Sequence, residues 1–99
     1  VREMAFLHGL SDAAAGCEGV TLLGILVPRR DDLGIHVQEI LTTYGCVIRT
    51  RLGVNEVYFG ESAGLIILEL AGDRRQFVSL ENSLREIEDI AIGRICFPA

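Results

Sequence analysis

Apolar residues recur along this chain with two periods, and the periods mark its elements. Val20 to Val27 reads Val-Thr-Leu-Leu-Gly-Ile-Leu-Val, apolar on both faces of an extended chain, as in a central strand. Pro28 ends it, because proline cannot donate to a ladder. Leu33, Val37, Ile40, Leu41 and Tyr44 then form one stripe at helical spacing, which predicts a helix over 32–44. Asp31 or Asp32 is its candidate N-cap, and Gly45 its closing glycine. Cys46 to Leu52 alternates: Cys46, Ile48, Thr50 and Leu52 share one face, Val47, Arg49 and Arg51 the other. Gly53 to Ser62 reads as a polar connection, and 63–71 as a second buried strand, so the pair predicts a hairpin with a long loop. Asp73 and Gln76 have the N-cap and N3 spacing of a second helix. Its buried stripe is Phe77, Leu80, Leu84 and Ile87, with Arg75, Glu81, Asn82 and Arg85 outside it or at its border. Ile90 to Phe97 is the last strand, stopped by Pro98.

The order β-α-β-β-α-β predicts an α+β, ferredoxin-like sandwich: a four-stranded antiparallel sheet with two helices on one face. The strands starting at 20 and 63 are expected at the centre, running parallel to each other. The domain covers 19–99, and 1–18 form an N-terminal extension. Met4, Leu7, Leu10 and Ala14 suggest a short, weakly amphipathic helix over 3–15. Ala13 to Cys17 loosely resembles a lipoprotein cleavage box, but Glu3, His8 and Asp12 interrupt the apolar stretch such a signal needs.

Two helices cover one face of such a sheet, so the other face should be polar. Here it is not. Val20, Leu22 and Leu26 oppose Leu23, Ile25 and Val27, and Leu65 and Ile67 oppose Ile66, Leu68 and Leu70. The surplus apolar face predicts two-fold self-association, face to face or edge to edge, as a dimer or a tetramer. The N-terminal helix is the competing cover, with too few apolar residues to complete it.

Composition narrows the chemistry. Ninety-nine residues make at most one domain. The nine Lys+Arg residues are all arginine, and the formal charge is −5. Without lysine there is no Schiff-base chemistry and no P-loop. The acidic balance argues against nucleic-acid binding by this chain. No apolar run approaches the ~20 residues of a membrane span. Cys17, Cys46 and Cys96 are odd in number, which predicts reduced thiols in a cytoplasmic protein, with Cys46 and Cys96 as small core residues. No pair of His or Cys has local chelate spacing, so no metal or other cofactor is assigned, and His36 reads as a surface histidine. Ser11, Ser62, Ser79 and Ser83 lack a recognisable nucleophile setting, so no catalytic residue is assigned.

Two features keep a binding function in view. Arg49 and Arg51 share a strand face, with Arg94 expected nearby; edge protection with surface charge is the favoured reading, and an anion or carboxylate site, which arginine's fork suits, is the alternative. Gly34, in the first turn of the first helix, is explained either by close packing, the favoured reading, or by backbone amides left open for an anion.

Several stretches resemble one small family, the regulators associated with the iron-only hydrogenase system. They are Gly24-Ile25-Leu26-Val27, Ile40-Leu41-Thr42-Thr43-Tyr44-Gly45, Arg51-Leu52-Gly53-Val54, Gly64-Leu65-Ile66-Ile67-Leu68 and Leu84-Arg85-Glu86-Ile87, within about 19–97. The resemblance implies a ferredoxin-like fold akin to ACT domains and to the C-terminal domain of the nickel-responsive repressor. It also implies a homo-oligomeric module that senses a small molecule or binds a protein partner. The repressor's nickel site needs strand histidines that this sequence lacks, so nickel is not carried over. ACT domains bind amino acids near the first strand–helix connection, often at a subunit interface, and the matching positions here are Arg29 to Gly34, among them Arg29, Arg30, Asp31, Asp32 and Gly34. With Arg51 these are the candidate ligand residues. The alternatives are a small dimeric ferredoxin-like enzyme, with His36 or Arg51 in a polar pocket, or a structural assembly domain.

Overall fold

A computed structural model describes residues 17–30 and 32–99. The helix expected over 3–15, and Asp31, lie outside the described residues. Strand β1 (Val20–Pro28) leads to helix α1 (Leu33–Thr43) and a 3-10 turn (Gly45–Val47). Strands β2 (Ile48–Tyr58) and β3 (Glu61–Leu70), helix α2 (Arg74–Arg85) and strand β4 (Ala91–Phe97) follow. The sheet order is β2-β3-β1-β4, and every neighbouring pair is antiparallel. The α+β, βαββαβ architecture is therefore present, but the central β1–β3 pair runs antiparallel, not parallel. The α1 crossover sets β2 parallel to β1, and the hairpin then reverses β3. No helix among the described residues is long and apolar enough to cross a membrane.

The inner face carries the core. Leu23, Ile25 and Val27 of β1, with Leu68 and Leu70 of β3, pack against Val37 and Leu41 of α1 and Phe77, Leu80 and Leu84 of α2. Both helical stripes thus face the sheet as their spacing predicts. Gly45 does not act as a left-handed cap. It opens the 3-10 turn, whose Val47 is buried in the core.

The β2–β3 connection departs from the sequence expectation. Gly53 to Ser62 is not a loop: β2 runs to Tyr58, β3 starts at Glu61, and Phe59-Gly60 alone make the turn. Both turn residues have positive φ, 55° and 83°, as the twist of a two-residue hairpin requires. A register shift between Ile48 and Thr50 also breaks the expected alternation. Past this bulge Arg51 pairs with Leu68 on the helix side, whereas Arg49 lies 3.6 Å from Glu69, whose neighbour across the sheet is outward-facing Leu22. The two arginines therefore part, and Arg94 lies on β4, the opposite edge of the sheet.

Glu81, expected at the border of the helical stripe, is buried with 2% exposure. Arg94 of β4 donates to its carboxylate at 3.2 and 3.3 Å, and Arg85 one turn along α2 at 2.9 Å. A buried carboxylate persists only with such partners, and removing one of them costs about 3–5 kcal/mol in comparable pairs.

Cysteine chemistry also differs from expectation. Cys17 and Cys96 form a disulfide across 79 residues, and the remaining cysteine, Cys46, is exposed rather than packed in the core. The odd count hid the pair, since one bond needs only two of three thiols. Arg74 reinforces the junction by donating to the carbonyls of Cys17, Glu18 (3.1 Å) and Gly19 (2.8 Å), with its guanidinium over the Phe77 ring. Gly19 passes so close to Phe97 that a Cβ there would lie 1.6 Å from the Phe97 carbonyl oxygen. Asp73 caps α2 by accepting from the Arg75 backbone N–H at 2.9 Å. The Arg75 side chain and then this N–H hold the Asp73 carboxyl below its usual 3.8. The cap's contribution is thus complete above that value and is lost as pH falls through the lowered one.

Closing so long a loop restricts the unfolded chain strongly. Reduction, or Cys96→Ser, is expected to lower unfolding free energy by about 2–5 kcal/mol, read from urea titrations with and without dithiothreitol. Equal midpoints under both conditions would contradict this role.

Candidate functional site

Two surfaces stand out: a cleft at one end of the helix–sheet sandwich, and the uncovered sheet face. The cleft, of about 590 Å³, opens between the β1–α1 connection and the β2–β3 hairpin. Its floor includes Val27, Val37 and Ile66 from the inner face, and Arg29, Arg30, Gln38, Arg51 and Asn55 supply its polar groups. Gly34, Gly53 and Gly64 also line it, one each from α1, β2 and β3. A Cβ at Gly34 or Gly53 would meet nothing within 4 Å. Gly34 is thus not explained by close packing, the favoured reading of the sequence; the missing side chains leave this end of the sandwich open.

Four of the six residues singled out in the sequence line this cleft: Arg29, Arg30, Gly34 and Arg51. Asp31 lies outside the described residues, and Asp32 is exposed and not part of the lining. Asp32 holds the N-cap position of α1, but its side chain makes no cap hydrogen bond. The first turn of α1 therefore keeps amide donors directed at its N-terminus, where negative charge is favoured. Arg51 donates to Gln38 of α1, which ties the edge strand to the helix. Arg30 lies 3.7 Å from Asp89 in an exposed ion pair, worth little by itself. No Asp or Glu lines the cleft among the described residues. In a chain of net charge −5, three arginines and an uncapped helix start form a local reversal of sign.

His36 is exposed on α1 and is not part of the lining. Among the described residues no three His, Cys, Asp or Glu side chains gather where a metal ion could be held.

The second surface is the outer sheet face. Val20, Leu52, Val54, Ile67, Ile95 and Phe97 all lie on it, between 37% and 56% exposed. Gly24 pairs directly with Gly93 on the same face, leaving a shallow trough between larger side chains. One corner is polar, where Thr50 donates to Glu69 at 2.8 Å.

No family model matches the chain, and no curated protein does. Solved structures match instead. The chain is similar to the uncharacterized protein TM1266 from Thermotoga maritima, at 19% identity and a TM-score of 0.64, over 80% of this chain and 96% of that one. It is similar to the ACT domain of the GTP pyrophosphokinase of Chlorobium tepidum, at 13% identity and a TM-score of 0.55, over 77% and 84%. The fold is ACT-like. The de novo designed protein Foldit4 shares it too, at 16% identity and a TM-score of 0.52, over 79% and 96%. A designed chain thus shares this scaffold, and function must be argued from the two surfaces above.

Gly34→Ala tests the origin of the cleft. It is expected to stabilise the protein by up to about 1 kcal/mol, because alanine is the better helix former and the site is open. Thermal unfolding checks this, and a destabilised variant would show that Gly34 is needed for packing.

Proposed function

We propose that this chain is a small regulatory module that binds an anionic small molecule in the cleft and associates with copies of itself through its sheet. The observation that carries the ligand half is the reversal of sign: three arginines and an uncapped helix start surround an apolar floor, with no lining carboxylate among the described residues. Such a site suits a carboxylate or phosphate with a modest apolar part, since guanidinium groups bind these anions through paired N–H donors. Ligand pockets commonly combine an apolar wall with few polar groups in this way. The outer sheet face carries the assembly half. Its apolar side chains are too large a contiguous set for a solvated surface, and a second copy supplies an equivalent face.

This reading groups the chain with the hydrogenase-associated regulators that residues 19–97 resemble. It assigns the chain no catalysis, no contact with nucleic acid or membrane, and a cytoplasmic setting. The expectation of that setting rests on reduced thiols, and the Cys17–Cys96 disulfide counts against it, because a cytoplasm keeps such pairs reduced. The enzyme alternative needs His36 or Arg51 in a polar pocket. Arg51 lines the cleft, while His36 does not.

A thermal-shift screen of amino acids, other carboxylates, phosphate esters and divalent metals tests the ligand half. Saturating the right anion about 100-fold over its Kd should add about 2.7 kcal/mol of stability. Arg51→Gln should weaken that anion roughly 10- to 100-fold, the worth of one charge-assisted hydrogen bond. Stabilisation by metals alone, or an equal response from the variant, would contradict an anion site.

A further inference from the structure

We propose that Cys17 and Cys96 are a reversible thiol–disulfide switch, operated by a dithiol reductant, that sets how firmly β4 is held at the edge of the sheet. The switch lies at the end of the sandwich opposite the cleft and needs no ligand there.

The pair sits beside a group that the oxidised state leaves unsatisfied. Thr21 is fully buried, and its hydroxyl has no hydrogen-bond partner among the described residues. A buried polar group of this kind is rare and asks for a cause. Across the inner face its neighbours are Leu70 on one side and Cys96 on the other. The Leu70 side chain offers no polar atom. Side chains of facing residues start ~4.5–5.5 Å apart, so a Cys96 thiol free to rotate reaches the Thr21 hydroxyl. In the disulfide the Cys96 sulfur is committed to Cys17 and carries no proton.

The Cys17 sulfur also has a partner in place. It lies 3.7 Å from the Val20 carbonyl oxygen, where a thiol donates weakly and a disulfide sulfur has nothing to give. Reduction thus creates two thiols that both meet partners, and it supplies the one that Thr21 lacks. The backbone around them is held without the S–S bond. Arg74 donates to the carbonyls of Cys17, Glu18 and Gly19, and Gly19 packs directly on the Phe97 carbonyl. The two thiols therefore stay close after reduction, and the bond re-forms within the chain.

The chemistry is ordinary exchange. Cys17 is buried and Cys96 is half-buried, so one thiolate of the dithiol attacks the Cys96 sulfur. The S–S bond breaks and its electron pair leaves on Cys17. The Arg74 guanidinium, held at the carbonyl of that residue, favours negative charge there. The second thiolate of the dithiol then displaces Cys96. Two protein thiols and one oxidised dithiol result, with the two protons of the dithiol ending on Cys17 and Cys96.

β4 responds because little else holds its end. It is a seven-residue edge strand, and among the described strands only β1 pairs with it. The Arg94–Glu81 pair anchors its middle, and the disulfide anchors its end. Ile95 and Phe97, on either side of Cys96, lie on the outer sheet face. Reduction loosens that corner of the face, while β1, β3 and the helices keep the core.

The full chain carrying Cys46→Ser, which leaves a single pair of cysteines, tests this by equilibration against reduced and oxidised dithiothreitol, with thiols counted by alkylation and mass spectrometry. The reduced form should keep the circular dichroism of the oxidised one, and hydrogen exchange should quicken within 91–97 but not in β3 or α1. Thr21→Val, which has the same shape without the hydroxyl, should make the disulfide roughly ten-fold harder to reduce, because the oxidised form no longer holds an unpaired hydroxyl. A disulfide that serves only as a staple would not respond to that change. An equilibrium unchanged in Thr21→Val, or a reduced chain that unfolds or loses protection throughout, overturns the switch.

Discussion

Everything in this structure follows from one mismatch: a four-stranded sheet apolar on both sides, and two helices that cover one side. β1 shows it most plainly. Leu23, Ile25 and Val27 point into the core, and the alternate residues Leu22 and Leu26 lie on the opposite face. Covering the inner face fixes the stripes of α1 and α2 and, through them, the connections at both ends of the sandwich. Burial of that face is favourable at roughly 25 cal/mol per Å² of apolar surface. The outer face has the same chemistry and no partner among the described residues, and the proposed assembly answers that imbalance.

The two ends of the sandwich are finished differently, and the difference places function. One end is sealed. Cys17 bonds to Cys96, and Arg74 gathers three carbonyls. The other end is left open by glycine at 34, 53 and 64, and arginines border the gap. Charge is satisfied internally at the closed end and is available to a ligand at the open one.

Local periodicity made the fold legible. The stripes through Val37 and Leu41, and through Phe77, Leu80 and Leu84, identify the helices and their buried sides, and β1 is evident as an uninterrupted apolar strand. What was not legible depends on partners distant in sequence or on single-residue geometry. The Arg49 bulge cannot be seen in an alternating pattern, yet it sends Arg51 to the cleft and Arg49 to the outer face. Gly53, Asn55 and Gly60 carry loop signals that concealed a strand, although Leu52, Val54 and the Phe59-Gly60 turn are consistent with one. Glu81 is buried because Arg94 arrives from another element. The β1–α1 connection pointed to the correct end of the molecule, but only the folded chain brings Arg51 and Asn55 across to it.

The central claim is that the outer sheet face is covered by another copy of the chain. Sedimentation equilibrium on the wild type and on Ile67→Glu tests it most directly, since Ile67 lies on that face and is already partly exposed. The account predicts an integral multiple of the protomer mass for the wild type at micromolar concentration, and a smaller species for the variant with unchanged secondary structure. A wild-type chain that sediments as a single protomer, or a variant of unchanged mass, would contradict it.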